Sequence, residues 1–119
     1  MSNIIENIFK LIQEYPELDC QDIPRMRKNT KIFYDDRKPG HGPRIKYQVG
    51  VNSKYIVVRY GDNTNAIIVN DKVQFNPDDK KFIIDFVNKY RLQLLQIWKK
   101  ELSPLEFKNF IRTNELTAQ

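Results

Sequence analysis

The feature that most constrains the fold is a block of short strand-forming segments between residues 31 and 75, separated by turn-forming residues. The clearest segment is Arg44–Val49, in which Ile45, Tyr47 and Val49 alternate with polar residues. A period of two is typical of a strand with one face buried and the other face in water. Because the connections between the segments are short, we expect neighbouring strands to be antiparallel.

The other segments of this block share β-branched and aromatic residues and are followed by glycine, asparagine or aspartate. They are Lys31–Asp35, Lys54–Tyr60, Ala66–Val69 and Lys72–Phe75. Asn70 and Asp71 tolerate positive φ and predict a hairpin turn before the last segment. Residues 31–75 are thus predicted to form an antiparallel sheet of four to five strands.

Apolar residues that recur every three or four positions predict helices on both sides of the sheet. The first helix covers residues 1–16. A long helix opens with an asparagine cap and a proline, and its apolar stripe ends at Trp98, whose ring we expect to pack on the sheet. A capping box at Ser103 and Glu106 begins a short terminal helix, so helices occupy residues 77–112.

The composition is that of a folded domain. Of the 119 residues, 40% are hydrophobic and 29% are charged, which excludes a disordered chain. This length suits one domain with one core. We therefore expect a single α+β domain over residues 1–119, in which residues 17–30 form an irregular connector on the surface.

Several classes of protein are excluded by what the sequence lacks. The single cysteine, Cys20, excludes an internal disulfide framework, and the single histidine, His41, excludes a metal site with two histidines of one chain. No apolar run approaches the roughly 18 residues of a membrane span, and the first residues lack the features of a signal peptide. We expect a soluble cytoplasmic protein with no membrane partner.

Positive charge is concentrated in one part of the chain. The net charge is +5, yet residues 24–46 alone hold eight basic residues against two acidic ones. Together with the aromatic residues Phe33, Tyr34 and Tyr47, this segment is typical of nucleic-acid binding, where cations meet phosphates and rings stack on bases. The predicted nucleic-acid-binding residues are Arg25, Arg27, Lys28, Arg37, Lys38, Arg44 and Lys46. The alternative is a solvated face of the sheet with the aromatic rings in the core.

A second hypothesis concerns catalysis. His41 titrates near neutral pH and is the candidate catalytic residue of a metal-independent ribonuclease, as a general acid or base. The alternative is a histidine in a loop that prolines and glycines build. Adjacent residues of a strand point to opposite faces, so Asp35 and Asp36 would need a further carboxylate to hold a magnesium ion. The sequence predicts no metal and no cofactor, and it favours a protein that is not an enzyme.

The stretch Lys31-Ile-Phe-Tyr-Asp-Asp-Arg-Lys-Pro-Gly-His41 resembles the opening signature of a family of small bacterial domains of unknown function. That signature is I-x-I-Y-Y-N-D-H-x-P-P-H-F-H. The segment Asp85–Trp98 is similar to the family's closing helix, which ends in Leu-Leu-x-x-Trp. The match covers about residues 31–100, and Arg37 stands where the family has its first histidine. The resemblance implies a small antiparallel sheet with a C-terminal helix, and some members belong to gene pairs similar to toxin–antitoxin modules.

Two main functions remain open on this sequence. The first is an interaction module, for example one component of a toxin–antitoxin-like or defence system, which binds a protein partner or a second copy of itself. The second is binding of nucleic acid, RNA in particular, through the basic segment. The ribonuclease centred on His41 ranks below both.

Overall fold

The computed structural model describes residues 18–34, 42–49 and 54–117. It has the predicted α+β architecture, with a four-stranded antiparallel sheet followed by helices. The predicted helix over residues 1–16 lies outside the described residues. The elements are β1 Lys31–Tyr34, β2 Arg44–Gln48, β3 Tyr55–Arg59, β4 Ile67–Ile68, α1 Pro77–Lys89, α2 Arg91–Trp98 and α3 Pro104–Thr117.

The strands lie in chain order, β1-β2-β3-β4. The prediction of a fifth strand at Lys72–Phe75 is wrong, and the reason lies in Asn70. Its side-chain oxygen accepts from the Val57 N–H at 3.0 Å, and its Nδ2 donates to the Tyr55 carbonyl at 2.8 Å. The side chain thus continues the pairing of the two-residue β4 beside β3. The Val73 N–H donates to the Asn70 carbonyl at 3.1 Å, so the chain forms a turn here and Lys72–Phe75 does not return as a hairpin partner of β4.

One face of the sheet packs on the helices, as the alternation in β2 predicts. The buried residues on this face include Ile45, Tyr47, Ile56 and Val58. The Tyr47 ring lies 5.4 Å from the ring of Phe82 in α1, which fixes the side of the sheet that α1 covers. The predicted helix stripe is confirmed for Ile83, Phe86, Val87, Tyr90 and Leu94, which are all buried.

The predicted long helix is interrupted at Tyr90, whose φ of −108° and ψ of 21° are not helical. Beyond this break the buried face of α2 includes Leu95, while Trp98 is 41% exposed. The prediction of a buried Trp98 is therefore wrong. We infer that the non-helical dihedral angles at Tyr90 change the phase of α2 relative to α1, so that Leu95 faces the core and Trp98 faces away from it.

The segment that precedes the sheet is part of the core and not a surface connector. Leu18, Ile23 and Met26 are buried, and the Leu18 backbone pairs with Ile32 of β1 at 3.2 and 2.8 Å. The segment consists of turns, so its buried residues have neither a period of two nor one of 3.6. That absence of a period explains why the sequence pattern did not reveal it.

The last helix begins as predicted and is longer than predicted. The Glu106 N–H donates to Ser103 Oγ at 3.1 Å, and the Ser103 N–H donates to Glu106 Oε1 at 3.3 Å, which is a capping box. The helix continues to Thr117 instead of ending near Arg112, because Glu115 is anchored in the interior. None of the described helices is long and apolar enough to cross a bilayer.

Candidate nucleic-acid interface

The face of the sheet opposite the helices carries the basic residues of the strands. Side chains alternate along each strand, so those out of phase with Ile45 point away from α1. We call this surface the open face; its members are Lys31, Phe33, Arg44, Lys46, Gln48, Tyr55, Val57, Arg59 and Ile67. The four strands contain no acidic residue. The charge that the strands themselves contribute to the open face is thus entirely positive.

Strand register sets two aromatic rings among these cations. The Phe33 and Tyr55 rings meet edge to face at 6.2 Å, and both side chains are partly exposed. The Lys46 ammonium group lies 5.8 Å from the centre of the Tyr55 ring, within the range of a cation–π contact. Arg44 and Arg59 are directly opposite each other in the register of β2 and β3.

This arrangement suits a flexible polyanion with planar groups. Lysine and arginine bind phosphates, and the bases of a single strand stack on exposed aromatic rings. RNA-recognition modules of known structure use aromatic residues on an open sheet in this way. The open face offers both kinds of contact within one surface.

The predicted basic segment is divided between the two sides of the sheet. Arg44 and Lys46 lie on the open face, whereas Arg25 lies on the helix side, with its guanidinium 4.9 Å from the centre of the Phe82 ring. Arg27 donates to Asp79 in α1 at 2.8 Å. Lys28 is exposed in a turn before β1.

Arg25 and Arg27 are both engaged by buried carboxylates. Arg25 makes two hydrogen bonds of 3.1 Å to Glu115, and the partner of Arg27 is Asp79. Glu115 is 3% exposed and Asp79 is 7% exposed. A phosphate at either arginine would have to compete with a carboxylate that the fold has already desolvated, which is costly when its partner is removed.

Three predicted site residues, Arg37, Lys38 and His41, lie outside the described residues, so the ribonuclease hypothesis stays a prediction. Of the aromatic residues predicted to stack on bases, Tyr47 is 1% exposed and belongs to the core. The Tyr34 ring lies 6.5 Å from Phe107 on the helix side.

The open face also includes residues that the sequence reasoning did not select. Tyr55 and Arg59 belong to a segment that reads as a nearly continuous apolar run, which favours a central strand over a surface. The alternation of side chains along the strand identifies them. Because Ile56 and Val58 are buried on the helix side, Tyr55, Val57 and Arg59 point to the open face.

Tyr90 and Glu115, two groups with shifted pKa values, lie on the helix side. Burial, together with the nearby Glu115 carboxylate, raises the pKa of Tyr90 to about 12, although the hydrogen bond from Asn114 acts in the opposite direction. Burial also acts to raise the pKa of Glu115, but the hydrogen bonds from Arg25 and Tyr90 outweigh it and lower that pKa below its ordinary value. These groups satisfy one another, and no buried side-chain polar atom in the described residues lacks a partner. The cluster is therefore structural.

In the part of the chain that the structure describes, no three histidine, cysteine or acidic residues come together as they do in a metal site. Cys20 is half-buried against the core.

Comparison of the chain with known protein families, with curated proteins and with solved structures found no match. The assignment of an interface therefore depends on the residues of the open face themselves.

Proposed function

We propose that the protein binds single-stranded nucleic acid, RNA in particular, on the open face of its sheet. The observation that carries this proposal is the coincidence of charge and aromatic rings. The charged residues of the strands are basic without exception and share one face, and the Phe33 and Tyr55 rings lie among them. A solvated face alone requires no such segregation of charge, because a mixture of acidic and basic residues would be equally soluble.

The two kinds of contact contribute differently. Stacking of a base on an aromatic ring is worth about 1–3 kcal/mol and depends little on sequence. Contacts between phosphates and Lys31, Arg44, Lys46 and Arg59 release counterions, so that affinity falls with salt. Four such contacts to a single strand give a slope of roughly −3 in a plot of log affinity against log salt concentration.

A single strand fits this surface better than a duplex. The faces of the bases in a duplex are covered by their neighbours, so Phe33 and Tyr55 have no base to stack on. The cations would still attract a duplex through its phosphates, but without the aromatic contribution. We therefore expect a preference for unpaired over paired RNA and little preference among sequences.

The direct test is fluorescence anisotropy with a labelled RNA of about 12 nucleotides, a length within the range that single-strand-binding domains cover. The same strand annealed to its complement is the control. The proposal predicts tighter binding of the single strand and a log–log salt slope of roughly −2 to −3. Equal or tighter binding of the duplex, or no salt-sensitive binding at micromolar protein, would contradict it.

The interaction-module hypothesis is the second candidate, and a separate surface favours it. The helices expose large apolar side chains, namely Leu92, Trp98, Leu105, Phe110 and Leu116. A contiguous apolar patch is typical of a surface that another protein covers, and these five side chains all belong to α2 and α3. This candidate includes the paired-gene partner that the family resemblance implies, or a second copy of the chain.

Sedimentation of the purified protein over a range of concentrations separates these cases. Self-association that Leu105→Glu abolishes would support a dimer through the helices. A monomer at all concentrations would leave a different protein as the partner of this surface, and a pull-down with the product of a neighbouring gene would then decide.

A further inference from the structure

A hollow of about 340 Å³ adjoins the open face where β3 meets the turns after β4. We propose that this hollow binds one nucleotide, with the base against its apolar walls and the phosphate at its lysines. The inference rests on the proposed function, since the nucleotide belongs to the bound strand, but a free mononucleotide has the same chemistry. The residues that carry the argument are Lys46, Lys54, Tyr55, Asn70, Val73 and Phe75.

The walls have the size and polarity that a base requires. Small-molecule pockets typically measure about 300–1,000 Å³ and combine apolar surfaces with few polar groups. This hollow lies at the lower limit, which suits one base and not two. Tyr55 provides the accessible aromatic surface, whereas Phe75, which is only 9% exposed, is a largely buried part of the lining. Val73, which is 42% exposed, forms part of the lining that solvent reaches.

The charged residues that line the hollow, Lys46 and Lys54, are both positive and therefore favour an anionic ligand. The Lys54 ammonium group lies 5.2 Å from the centre of the Phe75 ring, and that of Lys46 lies 5.8 Å from the centre of the Tyr55 ring. Each cation is thus held beside one of the two rings. No carboxylate lines the hollow among the described residues. A ligand that presents a planar ring to the walls and a phosphate to the lysines matches both features.

Asn70 supplies a fixed polar group. Its amide is held in place by the bonds to the Tyr55 carbonyl and the Val57 N–H, at 2.8 and 3.0 Å. An amide has two N–H donors and an oxygen with two lone pairs, so one donor and one acceptor position remain after these bonds. These positions allow a hydrogen bond to the edge of a base whose face lies on the Tyr55 ring.

A second hollow, of about 300 Å³ beside α3, lacks this complementarity. Its charged residues, Asp22 and Arg112, pair with each other at 2.7 Å. A charged ligand there would have to break an existing ion pair.

The test is a titration of the ¹⁵N-labelled protein with adenosine and uridine 5′-monophosphates, followed by NMR. Ribose 5-phosphate, which has the phosphate but no base, is titrated in parallel. We expect a mononucleotide dissociation constant of roughly 1 mM or below, with shifts at the Asn70 side-chain amide and at the Val57 N–H. Ribose 5-phosphate should bind at least about tenfold more weakly, because it lacks the contacts with the walls.

Val73→Trp fills the hollow from its exposed side and should abolish mononucleotide binding. Leu92→Trp is the matched control, since Leu92 is also an exposed apolar residue, 70% accessible, but lies on α2. Val73→Ala retains the fold with less bulk and should still bind, which separates occlusion from misfolding.

The proposal that the hollow binds a base would be contradicted by equal chemical-shift changes with ribose 5-phosphate and with the mononucleotides. Undiminished mononucleotide binding by Val73→Trp would also contradict it. These outcomes are distinct from failure of the proposed function. If the hollow binds no nucleotide but the proposed function holds, single-stranded RNA still binds the protein, and Val73→Trp leaves the affinity for RNA unchanged. If the open face binds no RNA while mononucleotides still bind in the hollow, the proposed function fails and the site remains as one for a free nucleotide.

Discussion

Glu115, near the end of α3, accepts two hydrogen bonds of 3.1 Å from the guanidinium of Arg25, which precedes it by 90 residues. The same carboxylate accepts the Tyr90 hydroxyl at 2.8 Å. A second ion pair joins the same two parts of the chain with the charges exchanged: Arg112 of α3 donates to Asp22 in the turns at 2.7 Å. The turns before β1 are thus tied to the last helix by two ion pairs whose carboxylates are buried.

Glu115→Gln should lower the free energy of unfolding by roughly 1–3 kcal/mol at neutral pH, the range for hydrogen bonds to charged groups. The pKa of Glu115 in the folded protein lies below its ordinary value of 4.5, so folding favours the ionised form. This contribution is present above about pH 4.5 and is lost as the pH falls through the lowered pKa. Urea unfolding at pH 7 and at pH 3 measures the difference.

The matched control is Glu101→Gln, because Glu101 is exposed in the turn before α3. The wild type and Glu115→Gln should approach each other in stability at pH 3, while the control follows the wild type throughout. A deficit of Glu115→Gln that is the same at both pH values would show that the carboxylate charge is irrelevant to the effect.

Tyr90→Phe should cost about 1–2 kcal/mol at neutral pH, since the hydroxyl donates to Glu115 and accepts from Asn114. The pKa of Tyr90 is raised to about 12 in the folded protein from an ordinary value of 10.0. Its stabilising effect is therefore complete below pH 10 and declines as the pH rises towards 12. Unfolding measured between these pH values should be less pH-dependent in Tyr90→Phe, whereas Tyr55→Phe, altered on the open face, should behave as the wild type does.

Trp98→Ala should lower stability by less than about 1 kcal/mol, as surface substitutions usually do. The side chain is 41% exposed on α2, whereas Phe107 in α3 is fully buried. Phe107→Ala should cost about 3–5 kcal/mol through the cavity that it leaves. Thermal unfolding of both variants gives the comparison, and a loss of several kcal/mol for Trp98→Ala would place its ring in the core after all.

Local patterns predicted those parts of the fold that depend on neighbouring residues. The alternation in Arg44–Gln48 identified the buried face of β2, and the cap at Asn76, which accepts from the Asp78 N–H at 2.8 Å, marked the start of α1. The break at Tyr90 has no such signal, since it contains neither proline nor glycine. The local pattern therefore predicted one continuous apolar stripe and a buried Trp98, whereas Trp98 beyond the break is 41% exposed.

For the candidate site, the phase of β2 correctly placed Arg44 and Lys46 on one face. The partners of Arg25 and Arg27 lie 90 and 52 residues away, so only the tertiary structure shows that buried carboxylates engage them. The contact of Phe33 with Tyr55 likewise depends on strand register, which charge and composition do not determine.

The central claim, that the open face binds a single strand, is tested most directly by charge reversal on the two sides of the sheet. The variant Arg44→Glu/Arg59→Glu alters the open face; Lys81→Glu/Lys99→Glu changes the net charge equally at exposed positions of the helix layer. Anisotropy with labelled single-stranded RNA, after thermal unfolding has shown that both variants fold, should give at least roughly tenfold weaker binding for the first and a change within about threefold for the second. Equal losses in the two variants, or unchanged binding by Arg44→Glu/Arg59→Glu, would contradict the claim.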